Sequence, residues 1–119
     1  MQRLSLLSIT IILICAALSL PAQETLTVGE VETRPGEKKS GYIRVPAGED
    51  GPETVIPVTV IHGSQPGPVL ALTAAVHGYE YPPVLALYRL RKMIDPEDVS
   101  GSLILVHVAN MPSFLKRTV

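Results

Sequence analysis

The chain has 119 residues, with ten basic and eleven acidic side chains and a net charge of −1. That balance leaves no basic face for nucleic acid. It also leaves enough length for one small domain once the N-terminal stretch is set aside, and domains of that size are only marginally stable.

Arg3 opens the chain with a positive charge, and Leu4 to Leu20 form an uncharged run of 17 residues. Pro21-Ala22 close it with a small residue suited to cleavage, the layout of a secretory signal peptide over residues 1–22. A membrane anchor is the alternative, although the run sits at the bottom of the ~17–25 residues needed to span a bilayer. Ile12, Leu13 and Ile14 stand before Cys15, where lipid attachment requires small residues. Cys15 is the single cysteine. Its removal with the signal leaves no thiol or disulfide, which suits an exported protein, periplasmic or secreted. Any metal must then be held by His and carboxylates.

Leu26 to Thr33 alternates loosely and reads as one strand, followed by an Arg34-Pro35-Gly36-Glu37 turn. Ser40 to Val45 is expected to return as a second strand, and Pro46 to Glu53 is a loop rich in Pro, Gly and acids. Thr54 to Ile61 is a β-branched strand in which Pro57 marks an edge or a bulge. The first half is therefore antiparallel β.

The chain turns at residues 62–67, and Val69 to Val76 is nearly continuous apolar sequence, as expected for a strand buried on both faces. Pro82-Pro83 are tolerated only at a helix start. Val84, Leu87, Leu90 and Ile94 then recur at helical spacing, with Leu85 and Tyr88 beside them. Asp95-Pro96 ends the helix, and Ser102 to Ala109 predicts another buried strand. Strand, helix and strand make a βαβ unit with parallel strands and a right-handed crossover. The ends at His77 and Asn110 then share one rim of the sheet, where open α/β sheets gather ligands and catalytic groups.

His77 and Glu80 stand three positions apart at that rim. Two such side chains, with Gly78 allowing a tight turn between them, can fold round one metal ion. The same spacing also fits a surface His beside a Glu that favours a helix N-terminus through the dipole. His62 reads as a surface turn residue and His107 as a hydrogen-bonded interior residue. Asn110 bonds loop backbone or orients a ligand. Arg117 is a solvated cation or a carboxylate-binding fork. No phosphate-binding glycine loop, nucleophile elbow or catalytic Cys is present.

Pro66-Gly67-Pro68 leading to Val76-His77-Gly78-Tyr79-Glu80-Tyr81 resembles the zinc-binding segment of the succinylglutamate desuccinylase/aspartoacylase family, relatives of the zinc carboxypeptidases. The likeness continues through Asp95-Pro96, residues 101–106, Asn110 to Phe114 and Arg117, covering about Gly36 to Val119. The resemblance implies a partial phosphorylase/hydrolase-like α/β fold, with a mixed sheet of N-terminal antiparallel strands and one βαβ unit. It implies zinc held by His77 and Glu80, and hydrolysis of an N-acyl amino acid amide or a related amide or ester bond in a small-molecule substrate. A later His, a general-base Glu and a carboxylate-binding Asn-Arg pair complete the site in the family. Residues 23–119 are accordingly expected to be the N-terminal part of such a catalytic domain, truncated, with an apolar sheet edge exposed and poor activity alone. A non-catalytic exported binding module, or a pseudogene product, on the same scaffold is the alternative. The membrane is expected to be met only during export.

Overall fold

A computed structural model describes residues 24–49 and 51–119. The expected export signal over 1–22, with Cys15, lies outside the described residues. No helix among those described is long and apolar enough to cross a membrane.

Two short strands, β1 (Leu26–Val28) and β2 (Val31–Thr33), form an antiparallel hairpin. The single strand expected over Leu26 to Thr33 is therefore broken at its middle. Gly29 supplies the reason, because its φ of 59° meets the demand of a two-residue hairpin turn for positive φ at the first central position.

The main sheet holds β3 (Lys38–Val45), β4 (Thr54–His62), β5 (Gln65–Thr73) and β6 (Ser100–Val106) in the order β3-β4-β6-β5. The β3 strand returns on β4, not on the first hairpin, across the expected Pro/Gly loop. The β4 strand is central, antiparallel to β3 and β6, so Pro57 marks neither an edge nor a bulge. Its carbonyl accepts His107 N–H at 2.9 Å just beyond Val58↔Val106, where the β4–β6 ladder begins. A strand residue points its N–H and C=O to the same side, so the missing donor faces the end of the β4–β6 ladder and interrupts no bond to β3.

The helix α1 (Tyr81–Met93) links β5 to β6, which are parallel as the βαβ pattern predicts. Leu87 is buried from α1 with Ile61, Ala74 and Leu105, and Val84, Leu90 and Ile94 pack round them, so the periodic face is the observed one. Leu85 and Tyr88 stay exposed. The opposite sheet face buries Val58 and Val60 against Val31 of the hairpin. Asp95 caps a 3-10 turn over Pro96–Asp98 by accepting Glu97 N–H at 3.1 Å.

Burial of β5 departs from expectation. It begins at Gln65 inside the expected turn, ends at Thr73, and lies at the sheet edge with Val69 and Leu70 more than half exposed. The β6 strand inserts between β4 and β5, so β5 has one neighbour among the described residues. Its apolar composition finds cover only where Leu72 meets α1. The β6 strand also starts two residues earlier than predicted and stops at Val106, leaving His107 just outside it. A second helix, α2 (Met111–Lys116), follows.

Candidate metal centre

Beyond Thr73 and Val106 the two parallel strands stop, but their continuations stay paired. Ala109 N–H donates to the Ala74 carbonyl at 2.9 Å and Asn110 N–H to that of Ala75 at 3.1 Å. Ala75, fully buried, sits at φ 52°, a left-handed conformation that L residues adopt at a cost. That kink ends the strand direction and sends Val76 and His77 out over the rim. His77 therefore lies four residues past the strand, not at its closing position.

His77, Gly78, Tyr79 and Glu80 form a turn into α1. Glu80 is the residue before the helix rather than part of its first turn, and its side chain makes no cap bond to α1. The carboxylate instead folds back on His77. Its Oε1 lies 2.9 Å from His77 Nδ1, and its Oε2 accepts His77 N–H at 3.2 Å. Both side chains are partly exposed, His77 at 51 % and Glu80 at 37 %. The hydrogen bond from the imidazole, then that from the backbone N–H, holds the Glu80 carboxyl below its ordinary range. The alternative role at the helix N-terminus is thus half right: Glu80 occupies the position but directs its charge to His77.

Gly78 is needed for a long-range reason. A Cβ there would collide with the Ser113 carbonyl and lie 2.7 Å from Thr118 O, both backbone atoms of the α2 segment. Gly78 N–H donates to Thr118 O at 2.7 Å. Tyr81 and Phe114 meet edge to face, ring centres 5.5 Å apart, a contact worth about 0.5–1.5 kcal/mol beyond its area. Asn110 starts α2 by accepting Ser113 N–H on its Oδ1 at 3.1 Å, the backbone role foreseen for it. Arg117 closes α2 in a left-handed conformation, exposed, with no ion pair among the described residues. The α2 segment is the part of the rim that sequence periodicity missed, since six residues give too few turns to show a pattern. The Asn110-x-Pro112-Ser113 start was its available signal.

The other two histidines stand elsewhere. His62 ends β4 and contacts the Thr33 carbonyl through Nδ1 at 3.3 Å. His107 is hydrogen-bonded as expected, its Nε2 2.8 Å from Thr59 Oγ1, but it is half-buried rather than interior. No group of three His, Cys, Asp or Glu side chains converges among the described residues. His77 and Glu80 nevertheless fit as two members of a metal donor set. Tetrahedral zinc with ~2.0–2.2 Å bonds holds its nitrogen and oxygen donors about 3.4 Å apart. The observed pair would open by roughly half an ångström to admit an ion. A cavity of about 540 Å³ lies instead between the 46–53 loop and α2, lined by residues such as Val45, Pro52 and Leu115, without His77 or Glu80.

Residues 66–118 match the succinylglutamate desuccinylase/aspartoacylase catalytic domain. The chain is similar to the N-alpha-acetyl-L-2,4-diaminobutyric acid deacetylase of Halomonas elongata, 36 % identical over 76 residues, covering 61 % of this chain and 22 % of that protein. Among solved structures, it is similar to the product-bound ectoine utilization protein EutE (DoeB) of Ruegeria pomeroyi. The two share 31 % identity and a TM-score of 0.62, covering 81 % of this chain and 29 % of the other. A succinylglutamate desuccinylase/aspartoacylase of Rhodobacter sphaeroides gives 34 % identity and a TM-score of 0.61, over 71 % and 26 % of the two chains. The chain thus spans less than a third of the length of these relatives.

Proposed function

We propose that this chain, whose residues 66–118 match the succinylglutamate desuccinylase/aspartoacylase catalytic domain, forms part of a zinc-dependent hydrolase. The bond cleaved is an amide joining an acyl group to an amino acid, or a related amide or ester, in a small-molecule substrate. His77 and Glu80 are two protein ligands of the metal, and the third ligand and the general base come from outside this pair.

The single supporting observation is the 2.9 Å approach of His77 Nδ1 and Glu80 Oε1 on the rim. Zinc bound there would supply a polarised carbonyl and a water acidified towards neutrality. The chain's own residues prepare the donors. Glu80 stays ionised because the His77 hydrogen bonds lower its pKa and keep the proton off. The bond from His77 N–H to Oε2 fixes the carboxylate plane and leaves Oε1 beside the imidazole. Gly78, pressed on α2, prevents the turn from rotating away. The deacetylase of Halomonas elongata acts, by its name, on an acetylated diamino acid. A short N-acyl amino acid is the corresponding substrate class here.

The test is a competition titration of the full chain against a chromophoric zinc chelator. Both His77→Ala and Glu80→Ala should weaken zinc binding at least about tenfold, the scale on which even supporting partners of metal ligands act. Zinc affinity unchanged in both variants would refute the assignment and favour a non-catalytic module on the same scaffold.

A further inference from the structure

A polar chain crosses the α1 side of the sheet, within an otherwise apolar layer. His107 Nε2 lies 2.8 Å from Thr59 Oγ1, which lies 2.7 Å from Ser40 Oγ. Arg91 Nη1 of α1 donates to the same Ser40 Oγ at 3.4 Å. The chain therefore joins β3, β4, the end of β6 and α1. Beside it is a cavity of about 190 Å³ lined by Ser40, Tyr42, Pro57, Val58, Arg91 and His107.

Charge is unbalanced there. Arg91 has no carboxylate partner among the described residues, its guanidinium resting 4.6 Å above the Tyr88 ring instead. A guanidinium offers five N–H donors in a planar fork, and one long bond to Ser40 uses a single donor. Burial, then the Arg91 charge, holds the His107 imidazole towards its neutral form. One positive charge, one adjacent hydroxyl and a wall of Pro57 and Tyr42 thus face a small space. A monoanion with a flat polar end and a short alkyl tail complements all three.

We propose that this cavity binds a small carboxylate, held by the Arg91 fork and the Ser40 hydroxyl with its alkyl end on Pro57 and Tyr42. A planar fork favours a carboxylate's two oxygens.

Sodium acetate and inorganic phosphate are titrated separately into the full chain at constant ionic strength, with imidazole and guanidinium NMR signals followed. Acetate should produce saturable shifts at His107 and Arg91 and none at His62. Arg91→Gln should weaken acetate at least about tenfold, the equivalent of one charge-assisted bond. Ser40→Ala, which keeps the charge, should weaken it less, and it provides the check if the Arg91 variant fails to fold. Shifts that rise linearly without saturating, equal shifts at all three histidines, or saturation by phosphate but not acetate would each overturn the assignment. So would unchanged acetate affinity in folded Arg91→Gln or, where that variant does not fold, in Ser40→Ala.

Discussion

Replacing Gly78 with Ala tests whether the rim is held by backbone-to-backbone contact. The added methyl would occupy the space of the Ser113 carbonyl and crowd Thr118 O at 2.7 Å. Neither obstacle is a flexible side chain, so the turn and α2 must separate. Forcing an extra methyl into packed structure costs about 1–3 kcal/mol. Separation also loses the 2.7 Å bond from Gly78 N–H to Thr118 O, worth about 0.5–1.5 kcal/mol. Together these give a loss of about 1.5–4.5 kcal/mol, which for a domain of this size lowers Tm by at least roughly 6 °C. Thermal and urea unfolding of the full chain measure it, and zinc affinity should fall in parallel as His77 moves. Gly48→Ala is the control, because a Cβ there meets nothing within 4 Å. A Gly78→Ala chain as stable as that control would refute the packing argument.

Two further outcomes follow from single side chains. Asn110→Ala removes the acceptor for Ser113 N–H at the start of α2; the expected cost is about 1 kcal/mol in urea unfolding, with Asn110→Asp largely restoring it. His107 is held below its ordinary value of 6.5 in the folded chain, by burial first and by Arg91 second. The unfolded chain then takes up the proton first, so stability is full above about pH 6.5 and is lost as pH falls towards the folded value. His107→Gln should flatten that part of the stability–pH curve, and an unchanged slope would show that His107 is not its source.

What the sequence discloses follows the range of each interaction. The face of α1 was legible because Val84, Leu87, Leu90 and Ile94 repeat at the helical period, and the same four line the observed core. The β4 strand was legible from its β-branched run, and the parallel βαβ pairing from the strand–helix–strand order. The hairpin inside Leu26 to Thr33 was missed because one glycine at positive φ outweighs a loose alternation. Burial of β5 was misjudged because exposure depends on strand order, which composition does not encode. At the candidate site the spacing of three already placed His77 near Glu80. Sequence spacing did not show the carboxylate folding back, nor the α2 segment pressing on Gly78. The second contact joins residues more than thirty positions apart, and the first depends on a side-chain rotamer that spacing does not specify.

The β5 strand has a further consequence. Pro66 and Pro68 deny its first half regular donors, a gatekeeping device familiar from protected sheet margins. From Val69 to Thr73 there is neither proline nor charge. An incoming strand can therefore zip on only along those five residues, which sets both the register and the short reach of any such annexation.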